Sequence, residues 1–280
     1  MPFLFVSTAE SLRNTGLRFI MRLALGIEYD GSQFSGWQQQ KGDVRTVQGC
    51  LEEALSKIAD QPIQVVCAGR TDTGVHALNQ VVSFDCDQER DPKAWVLGLN
   101  TYLPDDVSAL WVRNVSEEFS ARFSAYERSY RYIILHRVGR PALLHKKVSW
   151  RYGDLDIGKM HEAAQALIGE HDFTSFRSSQ CQAHSPVRVM RSIDVTLVGE
   201  YIYIDVCANA FLHHQVRNIV GSLIEVGKTV KPVEWMAEVL ALKDRTQAGP
   251  TAPAGGLYLV NVKYPEEFEI PQCLTPPAFN

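Results

Sequence analysis

Apolar and polar positions alternate with period two from Arg22 to Tyr29, with Leu23, Leu25, Ile27 and Tyr29 on one side. That alternation predicts a strand, and Asp30-Gly31-Ser32 ends it in a turn. Phe34 and Trp37 follow in a glutamine-rich loop that ends near Gly42. The period then changes. Thr46 is a candidate N-cap, and Val47, Leu51, Ala54, Leu55 and Ile58 recur at helical spacing. Pro62 closes that helix before an apolar run, Ile63 to Cys67, and Val81 to Phe84 reads as the next strand. Asp91-Pro92 opens a second helix with Trp95, Leu99 and Tyr102 on one face. Pro104 ends it, and Val107 to Val112 is again a strand. The order β-α-β-β-α-β is the split-βαβ signature.

The rest of the chain repeats that order loosely. Tyr130 to Leu135 predicts a strand and Asp156 to Ile168 a helix. Val187 to Val198 and Tyr201 to Ala208 predict a hairpin turning at Gly199-Glu200. Phe211 to Val226 and Pro232 to Leu242 read as helices, and Leu257 to Val262 as the last strand. The expected fold is therefore α+β: two tandem split-βαβ halves, similar to ferredoxin or RNA-recognition modules. Together they form one continuous mixed or antiparallel sheet with helices on one face. Residues 1–21 read as a disordered N-terminal extension, or as a segment ahead of a true start at Met21. Residues 22–137 form the first half and 138–150 a basic linker. Residues 151–264 form the second half, and the proline-containing 265–280 an irregular tail.

Composition narrows the class. At 45% hydrophobic and 21% charged, the 280 residues match a globular protein with a sizeable core. No apolar run approaches the roughly 20 residues needed to span a membrane. The six cysteines form no C-x-x-C pair and no ligand spacing with histidine, so they read as free thiols of a reducing, cytoplasmic compartment. The net charge of −4 argues weakly against a nucleic-acid partner, but its distribution does not. Between Ala121 and Arg151 eight cationic side chains face Glu127 alone, interleaved with Phe123, Tyr126, Tyr130, Tyr132 and Trp150. Such a stripe suits phosphate tracking and base stacking. A solvated strand and loop is an equally good account of it taken alone.

One loop concentrates chemistry. In Ala68-Gly69-Arg70-Thr71-Asp72-Thr73-Gly74-Val75-His76, a carboxylate sits among an arginine, two threonines and a histidine between two strands. Taken locally, Asp72-Thr73-Gly74 is a turn. It also suggests an aspartic protease, whose chemistry needs a second carboxylate to share a proton; the chain has no second such triplet. Gly221 to Thr229 mimics a phosphate-binding loop but has five residues between its glycines where that motif has four, inside a helical apolar pattern. His213 and His214, read as neighbours on a helix, point to different faces and cannot jointly hold a metal as an i, i+4 pair would; one of the two is expected to pack and the other to reach a ligand.

Several of these motifs, in this order, resemble the bacterial tRNA pseudouridine synthase A family. They are Glu28-Tyr29-Asp30-Gly31, Gly36-Trp37-Gln38, Ala68-Gly69-Arg70-Thr71-Asp72 and Gly74-Val75-His76. Ala121-Arg122-Phe123-Ser124, Tyr130-Arg131-Tyr132 and Asp172-Phe173-Thr174-Ser175-Phe176 match as well. So do Asn209-Ala210-Phe211, His213-His214 and Val216-Arg217-Asn218. The likeness runs from about Leu23 to about Tyr264. It departs at Thr73, where the family typically has alanine.

The resemblance implies isomerisation of uridine to pseudouridine in the anticodon stem-loop of tRNA, at about positions 38–40, with no cofactor and no metal. An RNA-binding cleft would lie on the face of the sheet opposite the helices. Asp72 matches the catalytic aspartate, a nucleophile or base; attack at the ribose, attack at the uracil and elimination all need it ionised. Arg217 matches the arginine that pairs with that carboxylate and keeps it charged. Arg70 resembles the residue that helps displace the target base, and Tyr130 the tyrosine that stacks on it. His76, Arg122, Phe173 and Phe176 are implied to shape the pocket or bind tRNA. The family also implies a homodimer in which one tRNA touches both subunits. A non-enzymatic RNA-binding protein of the RNA-recognition type is the alternative reading.

Overall fold

A computed structural model describes residues 20–42, 44–273 and 275–279. The expectation of an N-terminal extension therefore lies almost wholly outside the described residues. Ten strands form one sheet: β1 (Met21–Tyr29), β2 (Val66–Cys67), β3 (His76–Cys86), β4 (Val107–Val115), β5 (Glu127–His136), β6 (Ser149–Arg151), β7 (Gly169–Asp172), β8 (Val187–Val198), β9 (Tyr201–Ala208) and β10 (Leu257–Lys263). Five α-helices accompany them: α1 (Val47–Ala59), α2 (Pro92–Tyr102), α3 (Ile157–Gln165), α4 (Gln215–Gly227) and α5 (Trp235–Leu242). The first half follows the predicted order element by element. Thr46 caps α1 by accepting the Gly49 N–H, and Asp91 caps α2 by accepting the Lys93 N–H ahead of Pro92. Both caps satisfy a donor the helix leaves free.

The sheet runs β4-β1-β3-β10-β5-β9-β8-β7, with β2 beside β3 and β6 beside β5. It is mixed, because β10 runs parallel to β3 and β6 parallel to β5 while the other pairs are antiparallel. The last strand is thus inserted at the centre, with Tyr258 opposite His76 and Leu257 opposite Tyr132. This joins the halves edge to edge. β5, expected within residues 22–137, pairs with β9 and β10.

Burial alternates along the central strands and separates two faces. Tyr130, Tyr132 and Ile134 of β5 join the large core that also holds the buried residues of all five helices. Ile133 and Leu135 face a smaller cluster with Tyr203, Tyr258, Val148 and Phe279. Helices therefore cover one face, as expected. On the other side, Leu144 and Val148 of the 138–150 segment and Cys273 and Phe279 of the C-terminal tail pack against these strands. Phe34 and Trp37, expected in a loop, are 2% and 1% exposed. Burying such side chains stabilises by about 2–3 kcal/mol each, and it folds the glutamine-rich loop down beside the Asp72 loop.

The 138–150 segment is not a free linker. Lys147 pairs with Asp30, the Tyr258 hydroxyl donates to the Lys147 carbonyl at 2.6 Å, and β6 extends the sheet. Burial opposes ionisation of Asp30, but hydrogen bonds from Lys147 and Ser32 hold its carboxyl down at about 2. A carboxyl depressed in the folded state contributes stability above its ordinary pKa and loses it as the pH falls through the folded value. Asp30→Asn is accordingly expected to lower the urea midpoint at pH 7, with the difference from the native protein shrinking between about pH 4 and pH 2. Parallel urea titrations across that range check it, and a difference that grows on acidification contradicts it.

Candidate active site

The loop carrying Asp72 is pinned along its length. The Ala68 N–H donates to the Val81 carbonyl at 2.8 Å, and Gln80 Nε2 donates to the Gly69 carbonyl at 2.6 Å. Thr71 is clamped twice: its carbonyl accepts the Trp37 N–H at 3.0 Å, and its hydroxyl bonds the Tyr29 hydroxyl at 2.8 Å. Gly36 permits the first contact. Its φ is +91°, and an added Cβ would sit 3.0 Å from the Thr71 carbonyl oxygen. A tight turn, Val75 N–H to the Asp72 carbonyl at 3.1 Å with Gly74 at φ +80°, then returns the chain into β3. The side chain of Asp72 is left to project from a rigid mount.

The second half supplies its partners. Arg217, in the first turn of α4, donates from Nη1 to Asp72 Oδ2 at 3.2 Å and from Nε to the Ala252 carbonyl at 2.8 Å. Both side chains are largely shielded, at 15% and 19% exposure. The contact joins a charged hydrogen-bond donor of α4 to the side chain of the Asp72 loop. Tyr130 sits edge-on to Phe211, ring centroids 5.0 Å apart, and burial pushes its phenol well above the ordinary range, so it is neutral. Arg70 is exposed on the rim of the Asp72 loop. Arg122 is exposed too, with its guanidinium 5.2 Å from the ring of Phe123, which is 79% exposed.

Three of the residues implied to shape the pocket or bind tRNA are buried. His76 is buried; its Nδ1 accepts the Gly31 N–H at 3.1 Å, and its Nε2 faces the Lys146 carbonyl at 2.9 Å. Burial lowers its pKa against the pull of the Asp30 carboxylate, 3.1 Å from Nδ1, and the ring ties the Gly31 turn and the 138–150 segment to β3. Phe173 and Phe176 are 0% exposed. They belong to the core under α4, where the Phe176 carbonyl accepts from Asn218 Nδ2 at 2.8 Å, one residue past Arg217. Tyr130 and the buried apolar residues of α4 lie on the helical side of the sheet.

The histidine pair is the feature that helical periodicity concealed. The segment 211–214 is not helical: α4 begins at Gln215, after His214 at φ +63°. Left-handed backbone at that residue turns both imidazoles to one side. His213 Nε2 lies 3.2 Å from Asp72 Oδ1, and His214 Nε2 lies 3.3 Å from Asp72 Oδ2. Burial lowers the pKa of His214 against the pull of the Asp72 charge. The available signal was the apolar period itself, which starts at Val216 and not at Phe211. The phosphate-loop mimic at Gly221 lies inside α4, where an added Cβ would meet the Pro250 carbonyl oxygen at 1.6 Å.

The basic stripe is also smaller than its count. Arg131 pairs with Asp205, Arg137 with Glu200 and Lys147 with Asp30, while Arg128 is buried. Arg122, Arg140 and Lys146 have no acidic partner among the described residues. These exposed cations, not the whole run, are available to a polyanion.

Comparison with known proteins agrees with this geometry. The family model described as tRNA pseudouridine synthase matches residues 26–124 and 163–265, which include Asp72 and Arg217. A tRNA pseudouridine synthase A of Shewanella piezotolerans is 56% identical over 259 residues, covering 92% of this chain and 99% of the relative. One from Pseudoalteromonas atlantica is 57% identical over 259 residues, covering 92% and 98%. A solved Cbf5-Nop10-Gar1 complex superposes far more loosely, with a TM-score of 0.32 and 10% identity over 89% of this chain and 59% of that one. By the family match and the identity to its curated relatives, this chain belongs to the tRNA pseudouridine synthase family.

Proposed function

We propose that the chain isomerises uridine to pseudouridine in the anticodon stem-loop of tRNA, at about positions 38–40, where unstacked bases can be reached and turned. The observation that carries this reading is the Asp72 carboxylate, held 3.2 Å from the Arg217 guanidinium by a loop and a helix from opposite halves of the chain. The reaction breaks the bond from N1 to C1′ and makes one from C5 to C1′. C5 loses a proton and N1 gains one, so no oxidant or reductant is needed. Asp72 acts as nucleophile or base, Arg217 orients it through a hydrogen bond, and neutral Tyr130 offers a face to the detached uracil. Arg70 and Arg122 act at the rim, Arg70 by filling the space the base leaves. His76, Phe173 and Phe176 serve by fixing these groups in place.

The protein works as a homodimer in the cytoplasm. Six free cysteines fit a reducing compartment, and among the described residues no helix is long and apolar enough to cross a membrane. Tritium release from C5-labelled uridine in tRNA tests the activity, and mapping of the product tests the positions. Absence of release, or pseudouridine formed only outside the anticodon stem-loop, overturns the reading. Sedimentation at assay concentration tests the dimer. Arg217→Met is expected to reduce kcat about 100-fold with little change in KM, because the guanidinium acts on the reacting carboxylate more than on tRNA. A rise in KM alone would mean that Arg217 merely binds.

A further inference from the structure

We propose that Asp72, His213 and His214 form a binding site for a late first-row divalent cation such as Zn²⁺, whose occupancy switches the enzyme off. Among the described residues, this is the group of histidine, cysteine and acidic side chains whose ligand atoms converge, all within 4.8 Å of one another. Tetrahedral zinc with bonds of about 2.0–2.1 Å needs its ligand atoms about 3.3 Å apart. Each imidazole already stands at about that distance from one oxygen of the carboxylate, His213 Nε2 at 3.2 Å from Oδ1 and His214 Nε2 at 3.3 Å from Oδ2. The imidazole rings lie 4.0 Å apart at a 38° tilt, both presenting Nε2 to the carboxylate.

The backbone prepares this arrangement. His214 adopts φ +63°, a left-handed conformation costing a non-glycine residue on the order of 1 kcal/mol, which is what brings adjacent side chains to one point. The three ligand side chains are 19–34% exposed, so an ion from solvent reaches them. Two imidazoles and one carboxylate suit zinc, copper or nickel and disfavour magnesium or calcium, which take oxygen ligands. Arg217 bounds the affinity from the other side. Its guanidinium, 3.2 Å from Asp72 Oδ2, repels a cation and competes with it for the carboxylate. The result is a reversible site, not a permanently filled one. Its consequence rests on the proposed role of Asp72: a carboxylate bound to a metal is unavailable to uridine.

Binding and inhibition are measured separately, so that failure of the site and failure of the Asp72 role are distinguishable. Titration of the native protein with Co²⁺ is expected to give the visible bands of a four- or five-coordinate ion without a thiolate charge-transfer band. His213→Ala and His214→Ala should each weaken binding about tenfold or more while circular dichroism stays native. In the tritium-release assay, Zn²⁺ should inhibit the native enzyme and EDTA restore it. The variant with both substitutions should need about tenfold more Zn²⁺ for half-inhibition, relative to its own basal rate. Co²⁺ binding that is absent, or that survives both substitutions, overturns the site. Histidine-dependent binding without inhibition keeps the site and overturns the switch, which then counts against Asp72 as the reacting group.

Discussion

Asp72→Asn is expected to reduce tritium release from C5-labelled uridine by about a thousandfold or more while leaving tRNA affinity nearly unchanged. The carboxamide has the size and shape of the carboxylate, and the loop beneath it is fixed by bonds that do not involve the side chain, from Tyr29, Trp37 and Gln80. What it loses is the charge, and with it the capacity to act as nucleophile or base. For binding the change runs the other way, since removing an anion from a surface that meets phosphates is neutral or slightly favourable. This separates the enzyme from a non-enzymatic RNA-binding protein of similar build, to which Asp72 would be only an awkward negative charge. Single-turnover tritium release and filter binding on the same preparation make the comparison. Undiminished release by the variant removes Asp72 from the chemistry. Equal loss of binding and turnover would assign it to the RNA surface instead.

The alternation of Leu23, Leu25 and Ile27 and the helical spacing of Val47, Leu51 and Leu55 made the first half legible, because both patterns follow from one buried face. The position of β10 was not legible. Nothing local in Leu257–Lys263 says that it enters between two strands of earlier sequence, since pairing over such distances leaves no mark on the pattern of either strand. The short β6 and β7 escaped because three and four residues cannot show a period. At the site, Asp72 and Arg217 were reached by resemblance, and the geometry brings them together across 145 positions of sequence. His76, Phe173 and Phe176 carry motif positions yet lie inside the protein, since a motif records that a residue is needed and not which way it faces. His213 and His214 were hidden by the reverse error. A helical pattern was extended over four residues whose backbone breaks it, and the break is what gives them a common target.

Arg128 has the second large effect, and its count as one cation of a basic stripe gave no hint of it. The side chain is buried, and its guanidinium makes four hydrogen bonds to main-chain carbonyls: Ala125 at 2.7 Å, Asn209 at 2.8 Å, Arg122 at 2.8 Å and Ala68 at 3.1 Å. No carboxylate pairs with it among the described residues, and burial lowers its pKa. Those carbonyls belong to the start of the Asp72 loop, the Arg122 loop, and the stretch leaving β9 toward His213 and Arg217. One planar group with five donors can serve all of them; an ammonium with three cannot. Arg128→Met keeps the length and buries no charge, but it strands carbonyls that cost about 1–3 kcal/mol each when left unpaired. A loss of about 3–5 kcal/mol is expected, read as a lower urea midpoint at unchanged slope. Arg128→Lys should recover only part of it. Because the stranded carbonyls lie on the segments that set Asp72 against Arg217, kcat should fall in both variants under conditions where each remains folded. A stability within about 1 kcal/mol of native for Arg128→Met would show that water replaces the guanidinium, and that the two halves of the site hold their register without it.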